Sequence, residues 1–317
     1  MTSPSAARTL GIILLAAGAL LAPSGCSSHG DATRAVDAGR DVKPIIPPPP
    51  EPCDLSQDFG APALVLGLPV GNAWASAGTL TADEMMLAYD NGNDLVIASR
   101  NEIGSFETKP WLDAVNSPSA DYLPWINGDG RELFFISNRN GGAFDLYRAR
   151  RDDPQSAFTA AQNILHLATG SVTFPYLREG RELWFTPDNG DGAQAIFRAI
   201  ITGDGTFGPA MPVGELNEPS SRNARATLTP DGLTVYFASN RNGSQQDDVW
   251  VATRTSETAT FAPPKRLASV NSPFIDVPSW VSPDGCRLYV SSNRPEGNEP
   301  GDASARQPHM FVAQRRP

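Results

Sequence analysis

The chain has 317 residues, of which 40% are hydrophobic and 19% are charged, and this composition excludes a chain that is disordered throughout. Glycine (28) and proline (29) are abundant, which predicts many short strands joined by turns and argues against a helical bundle. The formal net charge is −10 and no basic stripe is present, so nucleic acid is not an expected partner. Only three histidines and three cysteines occur, too few for a zinc site built from these residue types.

The N-terminal segment is predicted to be an export signal. A positive charge precedes an apolar run over residues 10–22, which is shorter than the roughly 20 residues needed to cross a bilayer. The end of the segment resembles a bacterial lipoprotein lipobox, although Pro23 stands where that pattern has an apolar residue. We therefore expect a signal peptide over residues 1–25 and lipidation of Cys26. The alternative is an ordinary signal cleaved near Ser24.

Residues 26–54 are predicted to be a disordered, proline-rich tether. They contain almost nothing apolar to bury, and four consecutive prolines occupy positions 47–50. Ser27 after the cysteine resembles the outer-membrane sorting class of lipoproteins. We expect an exported protein that is anchored in the outer membrane and faces the periplasm or the cell surface, with a soluble periplasmic protein as the alternative. Its membrane contact would then be made only through the N-terminal lipid.

An internal repeat of about 50 residues runs through residues 70–317. Its clearest copies read SPDG followed by CRLYVSSNR from Ser282, and TPDG followed by LTVYFASNR from Thr229. A third copy reads NGDG followed by RELFFISNR from Asn127, and weaker copies start at Arg178 and Ala82. The corresponding turn positions are 83, 129, 179, 231 and 284, which gives five units.

Each unit carries four strand signals. The Asp-Gly turn closes a first hairpin, because glycine accepts the positive φ that such turns need. A glycine- and asparagine-rich turn leads to a third strand, and a fourth strand is expected near a recurring phenylalanine at positions 59, 106, 158, 207 and 261. Four antiparallel strands at this period are typical of a β-propeller.

The order of the strands predicts how the ring closes. The chain ends on a third strand, whereas residues 59–66 form an orphan fourth strand ahead of the first unit. This N-terminal strand is expected to join blade five. We therefore predict an all-β fold, a five-bladed β-propeller of four-stranded antiparallel blades over residues 55–317, and we expect a monomer.

Two cysteines lie near the predicted closure. Cys53 precedes the closing strand, and Cys286 begins the second strand of the same blade. In an oxidising envelope the two are able to pair and lock the ring. Two free thiols too far apart to meet are the alternative.

The repeat resembles that of TolB-type β-propellers, which are relatives of WD repeats. The likeness rests on the succession Pro-Asp-Gly, Leu-Tyr-Phe, Ser-Asn-Arg and Asp-Leu-Tyr or Asp-Val-Trp, together with linkers such as VNSP at residues 115–118 and 270–273. It covers about 255 residues and is strongest in blades two, four and five. The resemblance implies a propeller of the bacterial envelope that binds partners and has no chemistry of its own. It does not extend to TolB itself, which has an additional domain and a six-bladed ring.

Residues that recur at one position in several blades are expected to serve the scaffold. This applies to the arginines 139, 241 and 294, to Asp145 and Asp248, and to the aspartates of the turns at 129, 231 and 284. The start of each innermost strand is a better place for a unique site, because these strands line the central channel. Counting back from each turn gives the positions of Ala75, Asp121, Ser171, Asn223 and Asp276.

Four residues near one channel mouth form the predicted ligand-binding site: Asp121, Asn223, Arg225 and Asp276. With Arg222 nearby, their carboxylates, amide and guanidinium groups are suited to a cation, a sugar or the end of a peptide. A solvated mouth in which the acids only cap strands is the alternative.

Other motifs give weaker signals. Trp125 and Trp280 occupy equivalent positions and are expected to pack between blades rather than to stack on sugars. Residues 188–192 imitate the opening of a calcium loop but lack its distant glutamate, so we expect a hairpin and no metal site. No Gly-x-Ser-x-Gly elbow occurs. The only pair of acids that the sequence offers for glycoside cleavage is Asp121 and Asp276.

These observations predict a non-enzymatic envelope propeller that is an interaction platform for a protein or peptide, with no cofactor. The alternative is a propeller that binds or cleaves glycans through acids at the channel mouth. Shifted pKa values and exposed aromatic rings in a deep pocket would favour the glycan, whereas a mouth of mixed charge with buried tryptophans would favour the platform.

Overall fold

The computed structural model describes residues 52–70, 73–167, 170–178, 180–188, 194–203, 206–242, 244, 246–295 and 307–317. The predicted signal peptide, Cys26, and the tether as far as residue 51 lie outside the described residues, as do residues 189–192 of the loop that imitates a calcium site. Among the described residues, no helix is long and apolar enough to cross a membrane.

The described residues form five sheets of four antiparallel strands, in the orders β2-β3-β4-β5, β6-β7-β8-β9, β10-β11-β12-β13, β14-β15-β16-β17 and β18-β19-β20-β1. We number these sheets as blades one to five. Their strands are β1 (Ala63–Leu64), β2 (Ser76–Leu80), β3 (Met86–Asp90), β4 (Leu95–Arg100), β5 (Phe106–Lys109), β6 (Asp121–Ile126), β7 (Glu132–Ser137), β8 (Asp145–Arg150), β9 (Gln162–Leu165), β10 (Ser171–Arg178), β11 (Glu182–Asp188), β12 (Phe197–Ile200), β13 (Met211–Pro212), β14 (Asn223–Leu228), β15 (Thr234–Ser239), β16 (Asp248–Thr253), β17 (Lys265–Arg266), β18 (Asp276–Val281), β19 (Arg287–Ser292) and β20 (His309–Gln314). One 3-10 turn (Gly214–Leu216) precedes β14. The predicted five-bladed propeller is confirmed.

The first hairpin of each blade is fixed by its turn, as blade four illustrates. The Asp231 carboxylate accepts hydrogen bonds from Thr229 Oγ1 (2.5 Å) and from the Leu233 N–H (2.9 Å), and Gly232 adopts a φ of +66°. The turn is therefore built by its own side chains, which confirms the expectation that these aspartates are turn formers.

The hydrophobic core lies between neighbouring blades. In the second strand of blade four, for example, Val235 and Phe237 pack with Trp184 of blade three, whereas Tyr236 packs with Leu288 and other residues of blade five. Successive residues of a strand point to opposite faces, so each second strand supplies apolar side chains to two interfaces. Trp125 and Trp280 are buried in such interfaces, as expected.

The ring closes between the two ends of the chain. Strand β1 pairs with β20 through Ala63 and Leu64, which makes it the fourth strand of blade five. The closing strand is shorter than the predicted 59–66, because Pro62 has no N–H to continue the ladder. Upstream of this proline, the pairing continues through a bridge from Phe59 to Arg315 and through bonds from the Gly60 N–H to the Gln314 carbonyl (2.8 Å) and from the Asp54 N–H to the Arg316 carbonyl (3.0 Å).

A disulfide joins Cys53 to Cys286, with 5.7 Å between their Cα atoms. It lies on the side of the propeller that carries the Asp-Gly turns, and it ties the segment before β1 to the hairpin of the same blade.

The fourth strands lie slightly later than the recurring phenylalanines suggest. In four blades the strand begins four residues after the phenylalanine, and only in blade one does Phe106 itself begin it. Most of these rings are buried, and an arginine covers each buried ring, so they pack into the interface between blades.

Candidate functional site

The innermost strand of each blade enters the channel at one equivalent position. There, a backbone N–H donates to a carbonyl of the preceding blade. The five bonds are Ala75 to Pro308, Asp121 to Asn93, Val172 to Phe144, Asn223 to Gln194 and Asp276 to Asp247. The positions counted from the sequence are therefore equivalent in four blades. In blade three the equivalent residue is Val172 instead of Ser171, because the hairpin turn that follows is one residue shorter.

Two of the predicted mouth residues are fully buried acids that hold the scaffold together. Asp121 accepts hydrogen bonds from Arg139 Nη2 (2.6 Å) and from the Ser117 N–H (2.7 Å) and hydroxyl (2.9 Å). Asp276 has the same arrangement, with Arg294 and Ser272 as its partners. Both carboxylates have charged and neutral donors close to them, so a ligand would have to displace intramolecular bonds.

Asn223 occupies the same position in blade four. Its Oδ1 accepts from Arg241 Nη2 (2.7 Å) and Ser239 Oγ (3.0 Å), while its Nδ2 donates to the Glu218 and Ser221 carbonyls. The scaffold role expected for the recurring arginines is thus confirmed. The ligand role of Asp121, Asn223 and Asp276 stays a prediction, and their burial argues against it.

The channel mouth beside these strands is a wide cavity of about 930 Å³. Aromatic side chains (Trp74, Phe174 and Phe274) and amides (Gln194, Gln246, Asn293 and Gln307) line it. The charged side chains are Arg222, Arg225 and Asp247. Below the mouth, the space between the innermost strands has a volume of only about 40 Å³. The mouth is therefore the wide end of a funnel.

Arg225 is the fourth predicted residue, and it faces this funnel. It lies in a β-bulge of β14 with a φ of +56°. Ala77, Leu123 and Phe174 have the same left-handed backbone at the same place in blades one to three, and Pro278 stands there in blade five. Arg225 is the one charged residue of this ring. The bulge turns its side chain inward, which is a common use of such irregularities.

The Arg225 guanidinium has no hydrogen-bond or salt-bridge partner among the described residues. Its carbon atom lies 4.2 Å from the centre of the Phe174 ring, which fixes it by a cation–π contact. Burial lowers the pKa of Arg225 to about 10, and the charges of Asp90 and Asp247 oppose that shift. The group therefore stays protonated at neutral pH, and its donors meet no acceptor in the part of the chain that the structure describes.

Asp247 is less available to a ligand than Arg225 is. It accepts from Arg222 Nε (3.1 Å) and Nη2 (3.0 Å), so this pair is nearly neutral at the rim. Of the cations that the described residues place in the mouth, Arg225 is the one without a direct counter-ion.

Asp90 lies behind the mouth and is buried. Its carboxylate accepts long hydrogen bonds from Ser76 Oγ and from the Leu123 N–H, both at 3.4 Å, and Trp74 Nε1 donates to the same serine (2.7 Å). Burial raises the pKa of Asp90 to about 6, and the nearby charge of Arg225 opposes the shift. The Asp90 carboxyl group therefore loses its proton just below neutral pH.

Sequence reasoning missed Asp90, Trp74 and Phe174. The sequence does contain a signal for Asp90. This residue lies as far after the turn position of its blade as Ile136 and Ala238 lie after the turn positions of theirs. An acid at a position that is uncharged in the other blades indicates a local role, and the same reasoning singles out Arg225 within its ring.

No protein-family model matches this chain, and no curated protein matches it. Among solved structures, the catalytic domain of the GH62 α-L-arabinofuranosidase of Coprinopsis cinerea is similar, with 10% identity over 81% of this chain and 96% of that one and a TM-score of 0.51. An endo-arabinase of Bacteroides thetaiotaomicron is also similar, with 15% identity over 81% and 97% and a TM-score of 0.50. A protein assigned as TolB from Agrobacterium tumefaciens has 15% identity over 81% and 83%, with a TM-score of 0.46. At these identities the likeness to the two enzymes shows the fold alone, and the chain is a five-bladed β-propeller.

Proposed function

We propose that this protein is a non-enzymatic binding propeller of the bacterial envelope, which receives an acidic group of a protein or peptide partner in its channel mouth. The observation that carries the proposal is the Arg225 guanidinium, which faces a cavity of about 930 Å³ and has no acceptor among the residues that the structure describes. Guanidinium groups bind carboxylates through paired, charge-assisted hydrogen bonds, so an acidic side chain or a C-terminal carboxylate is the matching chemistry.

The rigidity of the mouth supports a binding role. Arg225 lies on a strand rather than a loop, its backbone is held by the bulge, and Phe174 packs against its side chain. A group that is already oriented loses little conformational entropy when a ligand arrives. The mixed charge of the rim, with the Arg222 and Asp247 pair, also suits a peptide that carries both polar and apolar side chains.

Glycan binding is the second candidate, because Trp74 is partly exposed at the mouth beside Asp90. An aromatic ring next to amides is a common surface for sugars. Cleavage is less well supported. It needs two carboxyl groups separated by about 5 to 9 Å. The two acids first considered for that role, Asp121 and Asp276, are each bound to an arginine.

The test is crosslinking in intact cells followed by mass spectrometry, with three forms of the protein that test the arginine and a fourth, Trp74→Ala, that tests the glycan. Wild type and Arg131→Ala, which removes an exposed arginine on the opposite side of the ring, should capture the same envelope protein. Arg225→Ala should reduce that capture about tenfold or more, as expected for a lost charge-assisted hydrogen bond. Alanine is accepted at this backbone position, since Ala77 occupies it in blade one.

Equal capture by all three forms would place the contact away from the mouth and contradict the proposal. Capture of polysaccharide fragments that only Arg225→Ala or Trp74→Ala loses would favour the glycan instead.

A further inference from the structure

Four of the five interfaces between blades are closed by an arginine at the end of the third strand or directly after it. These residues are Arg100, Arg151, Arg254 and Arg315. Each donates from Nε to a carbonyl of the hairpin turn in its own blade, at 2.7 to 3.2 Å, and each guanidinium lies 4.1 to 4.6 Å from the recurring phenylalanine ring.

Three of these arginines also reach the preceding blade. Arg100 Nη2 donates to Tyr289 Oη (3.1 Å), and Arg315 Nη2 donates to Tyr236 Oη (3.3 Å). Arg151 Nη2 contacts the sulfur of Met86 at 2.8 Å. The arginine therefore fills the space between two blades on the side of the Asp-Gly turns.

Blade three has Ile201 in place of this arginine. The equivalence is fixed by the backbone, because the Ile201 N–H donates to the Arg181 carbonyl just as the Arg254 N–H donates to Leu233. The turn glycine of this blade, Gly180, has no atom near the place that a side chain would occupy. On the facing blade, Phe134 stands where two other interfaces offer the hydroxyls of Tyr236 and Tyr289.

A cleft of about 380 Å³ lies at this interface of blades two and three. Its walls are largely apolar, with Phe134 on one side and Leu177, Ile201 and Phe207 on the other. This volume falls within the range of small-molecule sites. The cleft is thus the space that the arginine fills at the other interfaces.

Two hydrogen-bond donors in this cleft lack acceptors among the described residues. Trp125 is buried, and its Nε1 has no partner. Arg148 makes no hydrogen bond or ion pair in the described structure, and burial lowers its pKa. The two residues flank Phe134 on neighbouring strands, so they lie on one face of the blade.

Two acceptors at the edge of the cleft accept hydrogen bonds from within blade two. The Glu132 carboxylate accepts from Arg150 Nε at 2.6 Å, and Asn127 Oδ1 accepts from the Glu132 N–H at 2.8 Å. Trp125 Nε1 and the Arg148 guanidinium have no acceptor among the described residues, which matches a ligand that brings its own acceptor.

We propose that the cleft between blades two and three is a second binding site, separate from the channel mouth, for a small monocarboxylate with an apolar body. The carboxylate would pair with Arg148, and the apolar body would lie against Phe134, Leu177, Ile201 and Phe207. A carboxylate suits this place better than a cation, because Arg148 repels positive charge.

The test is titration calorimetry of the intact chain with two probes of the same length, decanoate and decylammonium. Decanoate should bind about tenfold or more tightly than decylammonium. Equal binding of both would reveal only apolar adsorption, and absent decanoate binding or tighter decylammonium binding would overturn the proposal.

Three variants locate the site. Ile201→Arg restores the arginine of the other blades and should abolish decanoate binding, whereas Ile200→Arg places the same charge on the exposed face of the same strand and should leave binding unchanged. Arg148→Val introduces the residue found at this place in blades four and five, as Val251 and Val312, and should remove the preference for decanoate. Decanoate binding that survives in Ile201→Arg, with thermal unfolding showing that the variant is folded, would place the site elsewhere.

Discussion

A buried carboxyl group at Asp90 makes the stability of the fold depend on pH. Burial raises its pKa to about 6 in the folded chain, whereas an unfolded chain releases this proton near pH 4. Between these pH values the folded chain holds one more proton than the unfolded chain. The contribution of Asp90 to the free energy of unfolding therefore falls as the pH rises through this window and stays low above it.

Asp90→Asn should remove this dependence. At pH 7 the variant should have a higher free energy of unfolding than wild type by up to about 3 kcal/mol, and the difference should shrink as the pH approaches 4. Urea unfolding at several pH values measures it. Asp113→Asn, at an exposed aspartate, is the matched control and should follow wild type at every pH. A difference at Asp90 that does not vary with pH would contradict the explanation.

The arginine at the end of the third strand holds the turn and the phenylalanine of its own blade in place. Arg254 stabilises the interface with blade three in this way, because the Phe261 ring that it covers packs against Trp184. Its guanidinium donates to the Gly232 carbonyl (2.7 Å) and to the Glu257 carbonyl (2.8 Å), and it covers the Phe261 ring. Arg254→Met should lower the free energy of unfolding by about 2–4 kcal/mol, because two carbonyls lose a charged donor and the cation–π contact is lost.

Arg131→Met tests the same substitution at an exposed arginine and should change the free energy of unfolding by no more than about 0.5 kcal/mol. Comparable losses in both variants would show that the contacts of Arg254 do not stabilise the interface.

The elements themselves could be predicted from the sequence because their signals are local. The Asp-Gly turns and the recurring phenylalanines gave the five blades and the ring closure.

The mouth could be placed only in part, since a count from the turn finds the start of a strand but not the bulge that follows it. Asp121 and Arg225 illustrate the difference. Their positions in the repeat are two residues apart. The Asp121 carboxylate is bound by Arg139, whereas the Arg225 side chain faces the cavity. Which side chain points inward depends on the backbone of the bulge and on neighbours from another blade.

The whole ring is held where its two ends meet, and the disulfide between Cys53 and Cys286 reinforces a closing strand of only two residues. The pair encloses almost the entire propeller, with a sequence separation of 233 residues. In the chain-entropy model a crosslink over so long a loop stabilises the folded state by up to about 5 kcal/mol. Arg315 adds to the same junction, because it donates to the Gln57 carbonyl and covers the Phe59 ring.

Replacing both cysteines, as in Cys53→Ser with Cys286→Ser, should lower the midpoint of thermal unfolding of the propeller, because the crosslink no longer restricts the unfolded chain. Adding reductant should lower the midpoint of wild type towards that of the double variant and leave the double variant unchanged.

Hydrogen exchange then identifies where the ring opens. The amides of β20 should lose protection more than those of β15, because β20 pairs with the closing strand while β15 lies inside blade four. Equal loss of protection in both strands would indicate that the disulfide stabilises the fold as a whole rather than this closure.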